Sequence, residues 1–214
     1  MLNVLPWGHP ALTEMYHKIS GKSWSHCTIP INAGVITNLG WLKATIHSAI
    51  GVHFISLGLW SDHEADMVMW TNASLHNALV FVYANRGFLY PIKPPPAGTK
   101  INIFFLKLVA IVSAIHHVGS LDQPPRCLLV WTDSLDSIVV LNSLHTNKSL
   151  HNTPLLVIVS VILHTGMDLC VRFIEGKLNT HANMLSHLLV DEYQQKYPSN
   201  HIECFTPPKE LLLA

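Results

Sequence analysis

The chain has 214 residues, of which 49% are hydrophobic and 12% are charged, and its formal net charge at neutral pH is zero. This composition supplies a core for one ordinary domain and a smaller added segment. The balanced charge excludes the strong basic field that attracts a phosphate backbone.

The first 60 residues are predicted to form a separate helical segment. Pro10 is suited to the first turn of a helix that runs to about Ile19, with Gly21 just beyond its end. Asn32 can cap a second helix that runs to about Ala49, because its apolar residues recur at helical spacing. This segment contains no chemical motif.

Residues 61–197 are predicted to form an α/β domain. Three short apolar runs joined by tight turns indicate an antiparallel meander, and the later strands, which alternate with helices, should be parallel. The predicted strands are 67–71, 78–83, 87–92, 127–132 and 169–174, and the predicted helices are 101–118, 135–144, 154–166 and 180–189, the last continuing to about 197. A proline-rich connector spans 91–98. The order β-β-β-α-β-α-α-β-α predicts a mixed five-stranded sheet, followed by a tail at 198–214.

Cysteine and membrane signals are weak. The four cysteines show no zinc-binding spacing and are predicted to be free thiols in a reducing compartment, so an intracellular location is expected. The longest apolar run, residues 155–163, is too short to cross a membrane. Fifteen histidines are scattered without a metal-binding motif, which favours drift in composition over a histidine metal site.

Three segments place small polar residues at the ends of predicted elements. They are WTNAS at 70–74, VWTDS at 130–134 and LNTHANMLS at 178–186. These segments resemble, in order, the first-strand TDAS, the fourth-strand TDS and the closing-helix motif of the ribonuclease H family. The resemblance extends over about residues 65–190. The segments 131–137, 151–155 and 174–179 are similar in sequence to polyproteins of fungal retrotransposons. Residues 1–60 resemble the end of a reverse transcriptase that leads into its ribonuclease H.

The resemblance implies hydrolysis of RNA in an RNA–DNA hybrid by two Mg²⁺ ions held by four carboxylates. Carried over residue by residue, the four positions are Asn72, Lys107, Asp133 and Asn183, so only Asp133 is retained. The two asparagines keep an oxygen but lose the charge, and an ammonium has no lone pair to offer a metal. The charges of Lys107 and Asp133 cancel, which predicts loss of two-metal binding.

Lys107 has two interpretations. Its head could lie in solvent along the helix, or it could replace the ions by pairing with Asp133. Other nearby acids are poor substitutes. Asp136 is typical of a helix N-terminus, Glu175 of an exposed turn, and Asp62, Glu64 and Asp66 of a solvated face.

Three functions stay open at this point. The chain is a ribonuclease H-like fragment without catalysis, an active ribonuclease H with an altered site, or a binding module for a hybrid or a protein. Trp70 and Trp131 could stack on bases, although tryptophans inside strands usually belong to the core.

Overall fold

A mixed sheet of six strands, in the order β5-β4-β1-β2-β3-β6, organises the chain. The computed structural model describes residues 6–22, 26, 28–48, 60–93, 101–146 and 148–212. The strands are β1 Met67–Ala73, β2 Ala78–Tyr83, β3 Arg86–Pro91, β4 Cys127–Thr132, β5 Asp168–Phe173 and β6 His201–Cys204. The α-helices are α1 His9–Ile19, α2 Ala33–Ser48, α3 Ile103–Gly119, α4 Leu135–Ser143, α5 Ser149–Thr165, α6 Thr180–Ser186 and α7 Val190–Lys196, and short 3₁₀ helices span Pro6–Gly8, Asp62–Glu64 and Lys209–Leu211.

The strand pairing confirms the predicted α/β fold class. β1, β2 and β3 form the antiparallel meander, and β4 and β5 lie parallel to β1 and to each other. Ala84 and Asn85 connect β2 to β3 with φ values of 47° and 59°, as a type I′ hairpin requires. The parallel strands are reached through helices because a parallel connection needs a crossover.

The sheet has one strand more than the five predicted. β6 lies parallel to β3 at the edge of the sheet, so part of the predicted 198–214 tail belongs to the sheet. Arg86 on β3 donates to both carboxylate oxygens of Glu203 on β6, at 2.8 and 2.9 Å. The ring of Phe205, just after β6, lies 4.8 Å from that of Phe81.

The two faces of the sheet bury unequal cores. Alternate residues of β1, β2 and β4, including Met69, Phe81 and Val130, pack with α3 and α5 in the larger core. The opposite face of β2 and β3 packs with α6 and α7 through Leu185 and Tyr193. This second layer lies so close that a Cβ added to Gly87 would be 2.7 Å from Leu185 Cδ1.

The helices predicted at 154–166 and 180–189 differ most from their predicted limits. α5 begins at Ser149, so Pro154 lies inside the helix and not in its first turn. The predicted helix at 180–189 ends at Ser186, and α7 begins only after Leu188, which has a φ of 62°. The predicted end of α2 at Ala49 and Gly51, and most of the proline-rich connector, lie outside the described residues.

The N-terminal helices pack against α5. Asn152 Nδ2 donates to the Pro10 carbonyl at 2.8 Å, and the Trp41 indole donates to Ser160 Oγ at 2.8 Å. Asn32 caps α2 through the Val35 amide, as predicted. On α2, Ile36 and Ile46 are nevertheless exposed. None of the described helices has the length and apolar character needed to cross a membrane.

Candidate functional site at the ends of β1 and β4

Parallel pairing of β1 and β4 brings two of the four predicted positions to one edge of the sheet. Trp70 is the partner of Trp131, and Asn72 and Asp133 each follow two residues later. Residues two apart on a strand share a face, so Asn72 lies on the face of β1 that α6 covers. Asp133 comes directly after the end of the neighbouring β4. The Thr71 hydroxyl donates to the Trp131 carbonyl at 3.2 Å, which holds the two strand ends together.

Lys107 reaches Asp133 from α3. Asn102 caps this helix by accepting the Phe105 amide at 2.8 Å, which fixes its first turn. Lys107 Nζ lies 2.8 Å from Asp133 Oδ2, and the two side chains are only 18% and 17% exposed. Of the two interpretations of Lys107, the pairing with Asp133 is therefore confirmed, and the solvent-facing head is wrong.

Asn72 and Asn183 form a second contact in the same place. Asn183 lies on α6, one turn after Asn179, and its Oδ1 accepts from Asn72 Nδ2 at 3.3 Å. Asn72 is 4% exposed, and its own Oδ1 accepts the Ala73 amide at 2.8 Å. The four predicted positions thus meet as one ion pair and one amide pair.

Asn179 and Gly176 belong to this site although the sequence analysis did not select them. Asn179 Nδ2 donates to the Thr71 carbonyl at 3.0 Å, so it fastens α6 to β1. A Cβ at Gly176 would lie 3.4 Å from Asp133 Oδ2, which places the loop after β5 against the carboxylate. Asn179 stands in the segment 178–186 that carried the resemblance, and this was the available signal.

Two oxygens at the site lack a partner. Asp133 Oδ1 and Asn179 Oδ1 are buried and accept no hydrogen bond. A buried oxygen without a partner is costly, so each of these atoms is a place where a bound cation or an ordered water would be expected. The chemistry of the surrounding side chains shows whether Mg²⁺ fits.

These residues do not fit a pair of Mg²⁺ ions. Mg²⁺ requires several hard oxygen ligands in octahedral geometry. Here Asp133 Oδ2 already accepts a hydrogen bond from Lys107, and Asn72 Oδ1 accepts one from the Ala73 amide. An ammonium about 4 Å from a divalent ion would repel it by roughly 8 kcal/mol at an effective dielectric of about 20. Among the described residues, no group of three or more histidine, cysteine, aspartate or glutamate side chains is placed to hold a metal.

The other acidic residues that could have replaced the lost ligands are either exposed or held at the opposite end of the strands. Asp136 is exposed in the first turn of α4, where the helix dipole favours it. Glu175 is exposed and pairs with Lys177. Asp66 Oδ2 accepts the amides of Arg126 and Cys127, which joins the start of β1 to the start of β4.

A cavity lies elsewhere in the molecule. It has a volume of about 1060 Å³ between α2, α5 and the end of α3, and its lining includes Trp41, His116 and Ser160. His116 is nine residues from Lys107, or about 13 Å along α3. This cavity therefore does not form part of the site at β1 and β4.

No protein-family model matches the chain, and no curated protein sequence matches it. The crystal structure of the native prototype foamy virus protease-reverse transcriptase is similar over 68% of this chain, with 16% identity and a TM-score of 0.39. The matched region covers 22% of that viral chain, so this chain spans about a fifth of it. Similarity at this level carries no functional argument, and the fold assignment depends on the strand pairing described above.

Proposed function

We propose that this chain is a ribonuclease H-like domain of retroelement origin that has lost two-metal hydrolysis. The observation that carries the proposal is the 2.8 Å ion pair between Lys107 and Asp133, at the place where the resemblance requires two carboxylates. The pair neutralises the one retained acid, and the amides of Asn72 and Asn183 supply no charge. The origin in a fungal retrotransposon depends on the sequence resemblance alone.

The physical reason for the loss is electrostatic. Two divalent ions separated by about 4 Å need a concentration of negative charge to stay bound. Here the charges of Lys107 and Asp133 cancel, and the ammonium already donates to the carboxylate oxygen that a metal would use. The domain would then keep its shape without a metal, because the ammonium replaces the counterion.

Titration calorimetry and a cleavage assay test this proposal together. Wild-type protein should give no binding heat with Mg²⁺ or Mn²⁺ and should not cut a labelled RNA–DNA hybrid above the level of Asp133→Ala. The triple variant Asn72→Asp, Lys107→Glu and Asn183→Asp should bind the ions and cut the hybrid. Adding Asp133→Ala to the triple variant is the matched control and should remove both gains.

Two results would overturn the proposal. One is metal-dependent cleavage by the wild-type protein that disappears in Asp133→Ala. The other is saturable binding of two Mn²⁺ ions to the wild type, which needs no catalytic readout. Circular dichroism of the triple variant with and without Mg²⁺ separates a failure to fold from a failure to bind.

A further inference from the structure

Residues 201–212, which we call the strap, are held to the domain by few contacts. β6 pairs with β3 over only four residues, of which His201 and Cys204 are exposed. Beyond β6, Leu211 in the last 3₁₀ helix packs in the larger core beside α5. A segment held by one short strand and a few side chains is typical of a unit that opens before the rest of a domain unfolds.

An ion pair fastens the strap to β3. Arg86 donates to both carboxylate oxygens of Glu203, and both side chains are 42% exposed. The bond to Arg86 is the main cause that lowers the pKa of Glu203, so this carboxylate stays charged in mildly acidic solution. An exposed pair adds little to stability by itself, and the packing beneath it therefore matters more.

The aromatic residues beneath the strap also contact His117 of α3. The His117 ring lies 4.6 Å from that of Phe88 and 5.3 Å from that of Phe81, and its Nε2 is 3.1 Å from the Tyr83 hydroxyl. From the strap, the Phe205 ring packs on Phe81 at 4.8 Å. We call His117, Phe88, Phe81 and Tyr83 the aromatic cluster. Glu203 is the register partner of Phe88, so β6 borders the cluster on its outer side.

The aromatic cluster favours a neutral His117. Burial is the largest cause that lowers the pKa of this ring, and Arg86 and His116 act in the same direction, whereas Glu203 acts against them. Burial also raises the pKa of Tyr83, so its hydroxyl stays neutral. These four groups are the titratable or charged ones that act on His117 among the described residues. An imidazole that water could reach would bind a proton more readily.

From this arrangement we propose that the strap opens more readily in mild acid, with protonation of His117 as the trigger. Opening removes Phe205 and Glu203 from the side of the aromatic cluster and admits water to the imidazole. The open state then binds a proton more readily, so its population rises as the pH falls below about 6.5, by at most about tenfold per pH unit for one group. The loss of Glu203 as a neighbour opposes this effect, but burial is the larger cause.

Hydrogen exchange followed by mass spectrometry tests the proposal. Peptides that cover β6 and β1 are compared at about pH 7.5 and about pH 5.5, after correction for the intrinsic exchange rate at each pH. β6 should be less protected than β1 at both pH values, because the strap opens while the centre of the sheet stays folded. The protection of β6 should fall by about three- to tenfold between the two pH values.

Variants assign this pH dependence to His117. His117→Gln removes the titrating group, so the protection of β6 should become independent of pH in this range. His117→Phe keeps a ring in the aromatic cluster and should have the same effect, and it serves if the glutamine variant does not fold. His151→Gln is the matched control. Burial lowers the pKa of His151 too, but this residue lies at the other end of α5 from the cavity beside the strap, so β6 should keep its pH dependence.

Two results would overturn the proposal. One is equal protection of β6 and β1 at both pH values, because the strap would then open only when the whole domain unfolds. The other is a pH dependence of β6 that persists in whichever His117 variant folds. The strap contains none of the residues of the site at β1 and β4, so these results do not depend on the proposed loss of catalysis.

Discussion

Lys107 and Asp133 form an ion pair with 2.8 Å between Nζ and Oδ2, and neither side chain is more than 18% exposed. Asp133 Oδ1 is buried without a partner, so the lysine is the only described group that stabilises this carboxylate through a salt bridge. Removing one partner of such a pair leaves an uncompensated charge in a poorly hydrated place.

Lys107→Met should therefore lower the free energy of unfolding by about 1–3 kcal/mol. The matched control is Lys177→Met, because Lys177 pairs with Glu175 at an exposed position and its loss should change stability by less than about 0.5 kcal/mol. Urea denaturation followed by circular dichroism measures both. Equal effects of the two variants would mean that the Lys107 pair has no special role.

Two carboxylates placed at positions 72 and 183 should destabilise the fold. Asn72 Nδ2 and Asn183 Oδ1 are 3.3 Å apart, so Asn72→Asp with Asn183→Asp would bring two acids together at a largely buried place. We expect a loss of about 2–4 kcal/mol near pH 7. One acid would have a folded-state pKa above its unfolded value, so the loss should be greatest at high pH and shrink as the pH falls and a proton is shared.

Each single substitution is the control for this pair. Asn72→Asp alone keeps an acceptor for the Ala73 amide and faces a neutral amide, so it should cost far less than the double variant. Thermal unfolding at about pH 7.5 and about pH 5 gives the comparison. A double variant whose loss does not depend on pH would contradict the close approach of these side chains.

Acidification should destabilise the domain through His117. This ring lies 4.6 Å from Phe88 and within 3.1 Å of the Tyr83 hydroxyl, and burial lowers its pKa, with nearby Arg86 acting in the same direction. The unfolded state then binds a proton more readily than the folded state. The stability that depends on a neutral His117 is therefore fully present above about pH 6.5 and is lost as the pH falls toward the folded pKa.

His117→Gln removes this titration and should flatten the fall in unfolding free energy between about pH 7.5 and about pH 5.5. Burial also lowers the pKa values of His151 and His181, so part of the slope should persist. His164→Gln, at an exposed histidine, is the matched control for the effect of the substitution itself on stability near pH 7.5. A slope that is insensitive to His117→Gln would refute the assignment.

Gly87 is required by the packing of α6 on β3. The Cβ of an alanine there would lie 2.7 Å from Leu185 Cδ1 and 3.3 Å from the Tyr193 hydroxyl, and both of these residues are fully buried. Gly87→Ala should cost about 1–3 kcal/mol of stability. Gly40→Ala in α2 meets no atom within 4 Å and should instead stabilise by up to about 1 kcal/mol. Two variants that shift the unfolding midpoint in the same direction would contradict this packing.

The strands and caps that local chemistry specifies were predictable from the sequence. Ser134, a residue type that commonly caps helices, accepts the Ser137 amide at the start of α4, and Gly166 ends α5 with a φ of 69° at the predicted limit. Strands β2 and β4 were predicted to the residue, because an apolar run bounded by turn residues has few alternatives. The pairing of Lys107 with Asp133 was one of the two arrangements that the sequence allowed, and the contact between Asn72 and Asn183 results from the packing of α6 on β1.

The rest depended on contacts between distant residues. The break between α6 and α7 uses Leu188 at positive φ, a conformation that no sequence rule assigns to leucine. β6 is four residues long and does not alternate in polarity, and its place is set by Arg86, which is over a hundred residues earlier. The exposure of Ile36 and Ile46 on α2 could not be predicted either, because helical spacing identifies an apolar stripe but does not show which element packs against it.

The short C-terminal strand has a consequence for the solution behaviour of the domain. β6 takes up the backbone hydrogen bonds along the outer side of β3. A polypeptide that stopped before His201 would leave that side open, beside a hairpin rich in phenylalanine and tyrosine, and an open edge of this kind pairs readily with a neighbouring molecule. Such a truncated protein would also lose Phe205 and Leu211 from the larger core, so an open edge and a weakened core would together favour assembly edge to edge into insoluble material.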